Sequence, residues 1–88
     1  MTNVNATVTP IAENGGTSND GYRLGYLNSA TKAAQNDTVT ITNATTVEWA
    51  ILKIDADGTT ESVTLATNVI TCTDATTGAV SGLVYYRA

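Results

Sequence analysis

Residues 37–42 read DTVTIT, and residues 47–67 read VEWAILKIDADGTTESVTLAT. The first stretch alternates strictly, which turns Val39 and Ile41 to one side and threonines to the other. That period of two is the mark of a half-buried β-strand. In the second, VEWAILKI (47–54) is apolar on both faces apart from Glu48 and Lys53, the pattern of a strand covered on both sides. Asp57-Gly58 then supplies the positive-φ residue of a hairpin connection. ESVTLAT (61–67) returns with Val63 and Leu65 inward. Asn68 allows a second tight turn, VITCT (69–73) follows with Ile70 and Cys72 inward, and Thr76-Thr77-Gly78 makes a third turn before AVSGLVYYR (79–87).

The same reading extends toward the N-terminus. Val4, Ala6 and Val8 alternate with Asn3, Asn5, Thr7 and Thr9, and Pro10 marks a strand end or a sheet edge because it has no backbone donor. Residues 1–11 are therefore an N-terminal arm or edge strand. Residues 12–21, dense in Gly, Asn, Ser and Asp, are a loop. Residues 22–27 (YRLGYL) form a strand. Residues 28–35 (NSATKAAQ) read as a loop or a single turn, since two helical turns without an apolar stripe are marginal. The main strand run is 36–88. About seven short, mostly antiparallel strands spaced by turns define an all-β fold, a small single-domain β-sandwich or barrel spanning 1–88. The residues expected inside are Val39, Ile41, Trp49, Ile51, Val63, Leu65, Ile70 and Val84.

Composition narrows the function. An 88-residue chain buries only about 60–65% of its unfolded surface, so a small fold of this kind relies on disulfides, a metal or oligomerisation. Cys72 is alone and there is no histidine, which excludes an intrachain disulfide and a Cys/His zinc site. Oligomerisation is the staple left. The net charge is −4 and the four basic residues, Arg23, Lys32, Lys53 and Arg87, do not cluster. A nucleic-acid or anionic-membrane partner is disfavoured for want of a basic patch. Residues 1–10 have neither a basic region nor an apolar core of a signal peptide, so synthesis and retention in a cytosol are expected.

Histidine-based catalytic constellations are missing. Ser/His/Asp and Cys/His arrangements need histidine, and the S-x-x-K spacing Ser29-Ala30-Thr31-Lys32 falls in the stretch that reads as a loop or a single turn. Most of the acids fall at turns or strand ends. The chain is read as non-enzymatic, with no cofactor. Asp55, Asp57 and Glu61 are the residues a cation would use, yet they depart from a calcium loop, whose first and last acid positions fall on Lys53 and Thr64. The hairpin accounts for them without a metal. Three glycosylation sequons, at Asn5, Asn36 and Asn43, are close to chance in a chain that is one quarter Ser or Thr. Tyrosine is enriched at protein interfaces, and Tyr85 and Tyr86, adjacent in one strand, point to opposite faces. The candidate interface residues are Val4, Ala6 and Val8 of the arm, with Tyr22, Tyr26, Tyr85 and Tyr86.

The segments NDTVTIT, VEWAILKIDADG and ESVTLATNVITCTDATTGAVSGLVYYR resemble the small β-rich head decoration (cementing) proteins, or related virion components, of tailed bacteriophages. The shared features are the N-D-T strand opening, a Trp-bearing strand, an acidic hairpin and the G-x-V-x-G-L-V ending, over residues 36–87. The resemblance implies a virion structural protein assembled in the host cytoplasm, binding the major capsid protein shell as a homo-oligomer, a trimer foremost. It transfers no residue roles, because such proteins act by surface complementarity. The arm 2–10 is expected to dock by pairing at a sheet edge away from its own chain. The alternatives are a secreted-type or tail-fibre module for adhesion or glycan binding, and a polymerising tail or filament subunit.

Overall fold

The structure is a computed structural model that describes residues 2–11 and 21–88. The loop expected at 12–21 lies, except for Gly21, outside the described residues. Among them are nine strands: β1 (Asn3–Ala6), β2 (Thr9–Pro10), β3 (Tyr22–Lys32), β4 (Thr38–Ile41), β5 (Thr46–Ile54), β6 (Thr60–Glu61), β7 (Val63–Ala66), β8 (Val69–Cys72) and β9 (Gly78–Arg87). They form a four-stranded sheet, β1-β4-β8-β7, and a five-stranded sheet, β2-β3-β9-β5-β6. The fold is all-β, as the alternating pattern requires, and of the sandwich and the barrel that pattern allows, the two sheets make a small sandwich.

Two stretches that read as single strands are each divided between the sheets. The chain leaves the first sheet after β1, passes Thr7 and Val8, and joins the second as β2. It crosses back at Ser62, between β6 and β7. These crossings account for nine strands where about seven are expected. All pairings are antiparallel except β1 with β4, which run parallel with Asn3 opposite Thr38 and Ala6 opposite Ile41.

Residues 2–10 are therefore not an arm free to pair elsewhere. They are edge strands of their own chain's two sheets. Val8 is only 3% exposed, and its peptide is clamped on both sides by the Asn43 amide, which accepts from Val8 N and donates to Val8 O. Asp37 anchors the start of the chain. Its carboxylate accepts from the amides of Thr2, Ala33 and Ala34 at 2.7–2.9 Å.

The core draws on both sheets: Val39, Ile41, Ile70 and Cys72 from the first, and Leu27, Leu52, Ile54, Val80, Val84 and Tyr86 from the second. Val63 and Leu65 pack partly buried against it. Trp49 and Ile51 depart from expectation, being 39% and 61% exposed. The cause is a β-bulge: Val47 lies opposite Tyr86, but Trp49 lies opposite Tyr85. Glu48 is the extra residue, and one extra residue inverts the facing of everything after it. Val47 stays inward, Leu52 and Ile54 take the core positions, and Trp49 and Ile51 turn outward.

Strand β3 also differs from expectation, running on to Lys32 through residues that read as a loop. A second bulge, between Leu27 and Ala30, makes this possible. Within it Ser29 holds φ 60 and donates its amide to Ser81 Oγ at 2.9 Å. At its end Lys32 is buried. Its Nζ donates to Glu61 Oε1 at 2.7 Å and to the Asp74 carbonyl, and the two ion-pair side chains are 1% and 0% exposed. In β9, Gly82 permits the close approach of β5: a Cβ there would stand 2.0 Å from the Ile51 carbonyl oxygen.

Candidate interaction surface

The bulge in β5 decides what the outside of the five-stranded sheet looks like. Strands β3, β9 and β5 are neighbours, and their registers align outward-facing residues in rows. Leu24, Tyr85 and Trp49 make one row, and Tyr26, Leu83 and Ile51 the next. Tyr26, Trp49, Ile51 and Leu83 are all exposed. The three inner strands of this sheet thus present large apolar side chains to solvent.

Three of its rings form a stack. Tyr22 and Tyr85 have centroids 5.6 Å apart with planes 8° from parallel, and Trp49 and Tyr85 are 5.7 Å apart at 17°. Both faces of Tyr85 are therefore covered by neighbouring rings, in the offset arrangement that the ring quadrupole favours. The Arg87 guanidinium carbon lies 5.7 Å from the Tyr22 ring centroid, a cation–π contact. These contacts restrict the rings before any partner arrives. At the far end of the sheet, Lys53 and Asp55 form an exposed ion pair at 3.3 Å. Thr46 and Glu48 hydrogen-bond at 3.0 Å beside the bulge.

The interface residues read from the sequence divide accordingly. Tyr22, Tyr26 and Tyr85 belong to this face. Tyr86 does not: it is 1% exposed, sits in the core opposite Arg23 and Val47, and burial raises its phenol pKa. The gap it needs is left by Gly25, where a Cβ would lie 3.0 Å from the Tyr86 ring. Val8 is likewise a core residue, while Val4 and Ala6 are half-buried in the edge strand β1. Sequence reasoning missed Trp49, Ile51 and Leu83 as surface residues. The signal is present in VEWAILKI, which is apolar on both faces as a covered strand would be, yet in the sheet one of those faces is bare.

The opposite face of the sandwich has another character. Asn3, Thr38, Thr71 and Thr64 align across all four strands of the first sheet. Asn3 Oδ1 accepts from the hydroxyls of both Thr38 and Thr40 at 2.8 Å. This face is polar and internally hydrogen-bonded; the apolar surface lies on the other sheet.

Asp55, Asp57 and Glu61 do not converge on a common point. Asp55 Oδ2 accepts from Ser81 Oγ at 3.0 Å. Asp57 accepts from the Thr59 hydroxyl and amide at 2.8 and 3.1 Å, which lowers its pKa. Glu61 is buried, with one oxygen on Lys32 and the other accepting the Asp74 amide at 2.8 Å. The acidic hairpin is held by turn contacts with Gly58 at φ 74, and Glu61 belongs to a structural ion pair. Cys72 is buried too, and desolvation pushes its thiol pKa up to about 11, which keeps it protonated and unreactive near neutral pH.

No protein-family model, curated protein or solved structure matches this chain.

Proposed function

We propose that this protein is a non-enzymatic structural subunit that binds another protein through the outer face of its five-stranded sheet. The observation carrying this reading is the contiguous exposed set Tyr26, Trp49, Ile51 and Leu83 beside the Tyr22–Tyr85–Trp49 stack. Apolar surface gathered in this way, with polar residues around it, is what docking sites offer and monomer surfaces avoid. Aromatic anchors already fixed in place lose little side-chain entropy on binding. The resemblance of residues 36–87 to phage decoration proteins supplies the partner of choice, the major capsid protein shell of a tailed bacteriophage, with a trimer as the assembled form.

Glycan adhesion is the second reading, because exposed aromatic rings also bind sugars. It is the weaker one on geometry. A sugar stacks on an open ring face, and both faces of Tyr85 are taken by Tyr22 and Trp49.

Co-sedimentation with expanded tailed-phage heads stripped of their decoration protein tests the proposal. Wild type is expected to pellet with heads from a compatible phage, and Ile51→Lys and Leu83→Lys to stay in the supernatant while remaining folded. Binding of the two variants at wild-type level would refute the assignment of the face. Retention on a glycan array, lost on Trp49→Ala, would replace the protein partner with a sugar.

A further inference from the structure

The outer face of the five-stranded sheet is ordered along its strands as well as across them. Past the Ile51–Leu83 row, Lys53 lies opposite Ser81, and the Asp55 amide donates to Ala79 O at 2.9 Å. Past the Trp49–Tyr85 row in the other direction, Arg87 lies between Tyr22 and Thr46, and the Thr46 hydroxyl holds the exposed Glu48 at 3.0 Å. The apolar rows are thus bracketed by Arg87 with Glu48 at one end and Lys53 with Asp55 at the other. These four exposed charges cancel, in a chain of net charge −4. Two copies that repel as whole molecules do not repel through this face.

The order is also self-complementary. Ile51 and Leu83 form the middle row, with two rows on either side of it. A two-fold axis along that row sets a second copy face to face with its strands antiparallel, the geometry of an isologous contact. Ile51 and Leu83 then meet their own counterparts. One row out, Lys53 meets the row of Trp49 and its neighbour Glu48, which offers a cation both aromatic rings and a carboxylate. Two rows out, Asp55 comes to the Arg87 end of the other copy. With the axis along the strands instead, Arg87 faces Arg87 and Glu48 has no cation opposite it. Only the first arrangement matches the charges by sign.

Five rows about 6.8 Å apart on three strands about 4.8 Å apart make a patch of roughly 500 Å² per copy. A pair therefore covers roughly 1,000 Å², the lower edge of what a specific interface needs. Contacts of that size open readily.

We propose that the free protein pairs with a second copy of itself through this face, about a two-fold axis along the Ile51–Leu83 row, and that the pair opens when the face docks. The inference rests on the reading of this face as a docking surface and adds its regulation: the apolar rows are covered until the partner competes for them.

Sedimentation equilibrium of the full chain at low salt tests it. A monomer–dimer equilibrium is expected, with dissociation at about 10–500 μM. Glu48→Lys and Lys53→Glu change exposed side chains, and each sets like charges together twice in the dimer. Each is expected to weaken pairing at least about five-fold. An equimolar mixture of the two variants has opposite charges at every contact between positions 48 and 53, and is expected to regain wild-type affinity. An effect confined to one chain gives no such recovery. A monomer at about 1 mM, a trimer, a dimer indifferent to both substitutions, or a mixture no tighter than the separate variants would each overturn the proposal. No phage head enters this experiment, so its failure leaves the docking reading untouched, whereas heads that ignore the wild-type protein remove that reading and leave the pair.

Discussion

Replacing Lys32 with methionine tests the most consequential contact that no local pattern announces. The Lys32 Nζ bridges Glu61 Oε1 at 2.7 Å and the Asp74 carbonyl, while the other Glu61 oxygen holds the Asp74 amide. Both side chains are essentially without solvent contact. Lys32→Met leaves a carboxylate in the interior with a single donor, and breaking a buried pair by removing one partner costs about 3–5 kcal/mol. A domain of this size has about 4–13 kcal/mol in total, so the variant loses a large part of its stability. Adding Glu61→Gln to it removes the stranded charge while keeping an acceptor for the Asp74 amide, and should recover about 2 kcal/mol or more. Urea unfolding reads both changes. With a slope near ~1 kcal/mol/M for a small domain, the single variant should shift its midpoint by several molar, or be unfolded at the outset. A loss below about 1 kcal/mol for Lys32→Met, or a further loss on adding Glu61→Gln, would refute the reasoning.

The other predictions concern the strands and the pH response. Gly82→Ala should cost about 3 kcal/mol in thermal or urea unfolding, because its Cβ meets the Ile51 carbonyl oxygen at 2.0 Å and backbone must move. Trp49→Ala should cost only about 1–2 kcal/mol, short of the 3–5 expected of a buried ring, since the indole is 39% exposed; its main effect should be on partner binding. Asp37 has its pKa lowered from 3.8, first by the Thr2 amide and then by Ala34 and Ala33. A depressed folded-state pKa gives stability that is complete above the ordinary value and lost as pH falls through the lowered one. Wild type should thus lose stability below about pH 4, and Asp37→Asn should be less stable at neutral pH with a shallower acid limb. Melting curves from pH 2 to 7 check this.

The alternation of DTVTIT and VITCT by itself determined that Val39, Ile41, Ile70 and Cys72 are buried. The Asp57-Gly58 pair likewise determined the turn that closes the β5–β6 hairpin. These are local facts: a period of two assigns neighbouring residues to two faces, and a residue at positive φ makes a turn wherever it stands. Which face is covered is a different question. VEWAILKI is apolar on both sides, so its alternation fits either assignment. A bulge at Glu48, set by pairing with β9 some 35 residues on, chose the one that exposes Trp49 and Ile51. The same holds for Tyr85 and Tyr86, whose opposite facing was legible but whose core member was fixed by the space over Gly25. Lys32 found Glu61 29 residues away, and residues 3–6 found β4 35 residues away. Only the closed sandwich brings such groups together. The candidate surface was therefore half legible: its tyrosines stood out as interface residues, while the bulge that gathers them with Trp49, Ile51 and Leu83 exists only once the strands have paired.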